Sequence, residues 1–111
     1  MPEWVKVAEA SGFPAGRPVQ VEVDGEPLCL ARIDDDFLAT TDICSHAYVE
    51  LSDGELLGDE IECPLHGSKF SMRTGEVRNP PATQPIDIYD VKVEGDHVLV
   101  WSEPRKGSAG N

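Results

Sequence analysis

Cysteine, histidine and aromatic residues are all scarce in this 111-residue sequence, which has three Cys, three His, two Trp, two Tyr and three Phe. Three cysteines are an odd number and too few for a disulfide framework, which fits a reducing compartment where thiols bind metals or sit in the core. Basic residues are scarce too. Nine of them stand against twenty-one acidic ones, for a net charge of −12. That charge repels phosphate backbones and anionic lipid headgroups, which argues against nucleic-acid and membrane partners. No stretch approaches the ~18 apolar residues of a membrane span, and Met1-Pro2-Glu3-Trp4 lacks a basic region leading into an apolar run. The expectation is a soluble, cytoplasmic protein. Helical periodicity is nearly absent, since only residues 8–13 look helical and Pro14 and Gly16 would stop them within a turn or two.

What is abundant is alternation. Val19, Val21 and Val23 alternate with Gln20 and Glu22, Asp24-Gly25 follows, and Leu28, Leu30 and Ala31 resume, which predicts a hairpin. A second strand pair runs from 30–33 into 37–41 across Asp34-Asp35-Asp36. A third joins 88–93 to 97–101 through Glu94-Gly95-Asp96, where Gly95 can take a positive φ. The predicted class is all-β, an antiparallel sandwich of short strands in one domain. Residues 42–53, 63–70 and 79–85 resist a strand reading, the last because Pro80, Pro81 and Pro85 lack backbone donors. Residues 105–111 are small and polar, and are expected to form a flexible tail.

Two of these loops hold residues with metal-binding chemistry. One carries Cys44-Ser45-His46 and the other Cys63-Pro64-Leu65-His66, with sixteen residues between His46 and Cys63. Zinc fingers usually draw their cysteines from one close pair and their histidines from another. Here each loop offers one sulfur and one nitrogen, which suits a binuclear centre. A structural zinc site is the alternative, and visible absorption with acid-labile sulfide separates the two. Cys29, between Leu28 and Leu30, reads as a core thiol. His97 stands apart from any constellation and is given no role.

The pattern C-x-H, sixteen residues, C-x-x-H, followed by Gly67, resembles the Rieske motif, in which two histidines replace two cysteines on one iron of a [2Fe–2S] cluster. The resemblance extends through the flanking hairpins and the proline-rich loop. It implies a Rieske fold at 1–104, with a cluster-binding subdomain at about 42–85 inserted in a basal sandwich. It also implies that Cys44 and Cys63 bind the inner iron and His46 and His66 the outer one. Gly67 would allow close backbone approach to the cluster. Pro80 and Pro81 would cover it, while Ala47, Tyr48 and Leu65 either line a docking surface or pack the loops together.

Rieske potentials span roughly −150 to +300 mV and respond to hydrogen bonds and solvent exposure. Respiratory members, by resemblance, carry an extra cysteine in each loop, where this chain has Val49 and Leu65. They also carry a serine and a tyrosine that donate to cluster sulfurs. Ser68 keeps the first, as donor or as plain surface serine, whereas Phe70 cannot donate. A low-potential protein without the disulfide is expected, similar to ferredoxins of bacterial aromatic ring-hydroxylating dioxygenase systems.

Such a resemblance implies a one-electron carrier and not an enzyme. Electrons would arrive from an NAD(P)H-dependent flavin reductase and leave for the Rieske centre of a terminal oxygenase, with the carrier a monomer. An oxygenase also needs a mononuclear iron held by two histidines and a carboxylate, and beyond His46 and His66 only His97 remains. The Rieske-like subunit of assimilatory nitrite reductases is a further relative, but it often lacks the full ligand set that is complete here.

Overall fold

The computed structural model describes residues 2–45, 49–64, 67–80 and 84–105. Eleven strands occur among them: β1 (Trp4–Glu9), β2 (Val19–Val23), β3 (Glu26–Ile33), β4 (Asp36–Thr41), β5 (Glu55–Leu57), β6 (Glu60–Glu62), β7 (Lys69–Ser71), β8 (Val77–Asn79), β9 (Ile88–Tyr89), β10 (Val91–Glu94) and β11 (His97–Trp101). Three antiparallel sheets result, ordered β1-β11-β10, β2-β3-β4-β9 and β5-β6-β7-β8. The third is inserted between β4 and β9 of the second. Among the described residues, no helix is long and apolar enough to cross a membrane.

Strand β3 explains how two cores share one sheet. Successive side chains of a strand point to opposite faces. Leu28 and Leu30 therefore enter one core with Val23, Ala39, Val98 and Val100. Cys29, Ala31 and Ile33 enter the other, with Cys44, Leu51, Ile61, Cys63, Phe70, Met72 and Ile86. Burial on both faces is why Leu28-Cys29-Leu30-Ala31 is continuously apolar instead of alternating. The first core joins the two basal sheets; the second joins the central sheet to the inserted one.

The predicted hairpin turns are present. Asp24 and Gly25 both have positive φ (52° and 84°), as a type I′ turn between β2 and β3 requires. Asp34 (φ 57°) and Gly95 (φ 63°) turn the other two hairpins. Several boundaries differ from the sequence expectation. Residues 8–13 are not helical, for Ala8 and Glu9 belong to β1 and pair with Val98 and His97. So short a helix is marginal alone, and the free edge of β11 offers a full ladder. The run 88–93 is broken at Asp90: Ile88 and Tyr89 pair with β4, and Val91 onward with β11. Lys69 and Phe70, expected in a loop, lie in β7, and Asn79 lies in β8. Arg105, assigned to the tail, exchanges two backbone hydrogen bonds with Ile88 and pairs with Asp90 at 2.9 Å. Residues 106–111 lie outside the described residues.

Candidate metal centre

The first cysteine-bearing loop leaves the end of β4 and returns through the 3-10 turn Leu51–Asp53. Its base is fastened by Asp42, which is fully buried. The Asp42 carboxylate accepts from the Ser52 amide (2.7 Å), the Ser52 hydroxyl (2.8 Å) and the Gln20 side-chain amide (2.7 Å). Gln20 donates to Glu50 as well. The Asp42 carbonyl accepts from Leu51 N–H at 2.6 Å, and its own N–H donates to the Pro27 carbonyl. Both ends of the loop are thus locked to the central sheet.

Each loop closes on itself in the same way. Cys44 N–H donates to the Val49 carbonyl at 3.1 Å, and Cys63 N–H to the Ser68 carbonyl at 2.6 Å. In both, a cysteine bonds the fifth residue on. The second closure passes through Gly67 at φ 75°, a left-handed conformation that glycine adopts without strain. Cys44 and Cys63 are 3% and 1% exposed and share one core with Phe70 and Leu51. Ser68 is fully buried, so the reading as a surface serine is set aside. His46 and His66, with Ala47, Tyr48 and Leu65, lie outside the described residues.

The proline-rich segment is tied to both loops. Ser45 Oγ donates to the Gln84 carbonyl at 2.6 Å, and Asn79 Nδ2 to the Gly67 carbonyl at 3.2 Å. Pro80 is exposed, and Pro81 lies outside the described residues. Beside Cys63, an open pocket of about 320 Å³ is lined by Asp53, Glu55 and Glu62 together with Pro64 and Gly67. The third cysteine differs in state. Burial pushes the Cys29 thiol up, the Asp42 carboxylate adds to the shift, and a hydrogen bond with Thr40 only partly opposes it. A thiol held in its neutral form is a poor metal ligand. His97 is exposed on β11 in the basal sheet.

Two cysteines brought from separate loops into one water-poor core suit an iron–sulfur cluster, whose ligands are thiolates and whose potential depends on solvent exclusion. Residues 3–90 match the family model described as the Rieske [2Fe-2S] domain. This chain belongs to the Rieske family. It carries one Rieske-type [2Fe–2S] cluster. The biphenyl dioxygenase ferredoxin subunit of Pseudomonas sp. strain KKS102 is 39% identical over 98 residues, covering 87% of this chain and 90% of that protein. The ferredoxin component of a naphthalene 1,2-dioxygenase system from Pseudomonas aeruginosa is 38% identical, covering 88% and 94%. A solved complex of reduced oxygenase and oxidized ferredoxin in carbazole 1,9a-dioxygenase contains a chain with TM-score 0.87 and 40% identity, covering 92% and 95%. These Rieske relatives are ferredoxin components, electron carriers and not catalysts.

Sequence reasoning missed the supports of the site: Gln20, Asp42, Ser52 and Asn79. Asp42 stands two residues before Cys44, but an acidic residue there reads as an ordinary loop residue. Only the fold reveals its burial.

Proposed function

We propose that this protein shuttles single electrons from an NAD(P)H-dependent flavin reductase to the Rieske centre of a terminal aromatic ring-hydroxylating oxygenase. The observation that carries this reading is the likeness, over nine-tenths of the chain, to the oxidized ferredoxin partner of a reduced oxygenase. The bound cluster supplies a one-electron couple. The chain's own residues hold it, exclude water and present it. Cys44 and Cys63 are assigned to one iron and His46 and His66 to the other, with Gly67 and Ser68 alongside. The unit runs through Arg105, whose backbone bonds to Ile88, with the cluster-binding part at about 42–85, and acts as a cytoplasmic monomer.

The test is reconstitution. Iron and acid-labile sulfide are measured in the pure protein, and oxygenase reduction is followed optically with candidate reductases. Added salt should slow oxygenase reduction about tenfold or more, because the −12 charge steers encounters with a basic surface. A rate indifferent to salt would remove the steering argument. No electron flow with any reductase–oxygenase pair would remove the carrier reading.

A low potential follows from the same residues. Phe70 is a buried ring without a donor, at the position where high-potential members place tyrosine. Ser68 is assigned as the remaining donor to a cluster sulfide, so Ser68→Ala should lower the midpoint potential. An unchanged midpoint in protein-film voltammetry would sink that assignment.

A further inference from the structure

Gly54 ends the turn Leu51–Asp53, and its N–H donates to the Leu51 carbonyl at 2.8 Å. Its φ of −88° is open to any residue, so backbone freedom does not explain the glycine. Space does. A Cβ at Gly54 would overlap the Glu62 carbonyl oxygen and lie 3.1 Å from that of Leu51, both of them backbone atoms. Glu62 immediately precedes Cys63. The turn that closes the Cys44 loop is therefore seated directly on the backbone that launches the Cys63 loop. Its other end is fixed by the hydrogen bonds of Ser52 to Asp42.

We infer that Gly54 is a positioning residue that sets the spacing between the two cysteine-bearing loops. This rests on the reading that Cys44 and Cys63 hold the cluster. A methyl group there displaces the Glu62 carbonyl, and Cys63 moves with it, because the β6 backbone cannot yield like a flexible side chain. Gly58 provides the comparison. It turns the neighbouring β5–β6 hairpin at φ 64°, yet a Cβ there meets nothing within 4 Å. Alanine at Gly58 strains the turn without crowding Cys63.

The experiment compares Gly54→Ala and Gly58→Ala with wild type, each purified as full-length holoprotein. Iron and sulfide content, the EPR g values of the reduced cluster and the visible circular dichroism are read. Gly54→Ala should lose at least half of its iron and show altered g values and dichroism in what remains. Gly58→Ala should keep wild-type content and spectra while unfolding at lower temperature. Wild-type spectra and content in Gly54→Ala would overturn the inference. Should Gly54→Ala not accumulate, hydrogen exchange on wild-type holoprotein decides the matter. Common protection of peptides covering 51–54 and 60–63 supports the seat, and fast exchange of the first beside slow exchange of the second overturns it. A wild-type protein without acid-labile sulfide would instead strike at the cluster reading itself.

Discussion

Phe70→Ala is expected to remove about 3–5 kcal/mol of folding stability, the usual cost of emptying a buried ring site. Phe70 is fully buried in β7 and sits in the core that contains both Cys44 and Cys63. It pairs with Ile61 on one side and Val77 on the other, so the cavity would open in the middle of the inserted sheet. Domains of this size hold only about 5–15 kcal/mol in total. The loss should appear as a large fall in the guanidinium midpoint with little change in slope. Phe70→Leu, which keeps most of the volume, should cost about 1 kcal/mol. Loss of cluster absorbance should track this order, since the same side chain floors both loops. Equal stability of the alanine and leucine variants would show that the site collapses freely and that the ring is not the floor.

The basal part was legible because its signals are local. Alternating valines in β2 and the Asp24-Gly25 turn state a hairpin in a few residues, and the aspartates at 34–36 state another. The Cys-x-His and Cys-x-x-His pattern stood out because few chemistries call for Cys and His at such spacing, and the fold brings its two cysteines into one core. The inserted sheet was not legible. Its strands β5 to β8 are three residues each, too short for alternation to register, and each sets one or two apolar residues beside charged ones. Glu55-Leu56-Leu57 and Glu60-Ile61-Glu62 are strands because Leu56 and Ile61 meet across the pair and Ile61 is buried in the core beneath the loops. Strand β1 was hidden for a related reason. Its partner β11 lies about ninety residues away, and nothing near Ala8 or Glu9 announces that pairing. The supporting polar residues are harder still, because a buried aspartate and an exposed one look alike until their partners are known.

Asp42→Ala is the clearest test of those supports, with an expected loss of about 3 kcal/mol. The carboxylate is fully buried and accepts three hydrogen bonds. Removing it leaves the Ser52 amide facing a space without an acceptor, and a buried donor so stranded costs about 1–3 kcal/mol, more where the lost partner was charged. Asp42→Asn should fall between. Its oxygen can still accept from the Ser52 amide, and its new NH2 can point at Gln20 only if the Gln20 amide rotates to present oxygen. That rotation ends the Gln20 bond to Glu50. Urea unfolding measures the stabilities, and bleaching of cluster absorbance under a chelator measures the grip of the loop. Both should rank wild type, Asn, Ala. A rank order in stability without one in bleaching would mean that Asp42 braces the sheet and not the cluster. The backbone favours the coupled outcome, because the Asp42 carbonyl and carboxylate hold Leu51 and Ser52, and the Cys44–Val49 closure lies wholly between Asp42 and Leu51.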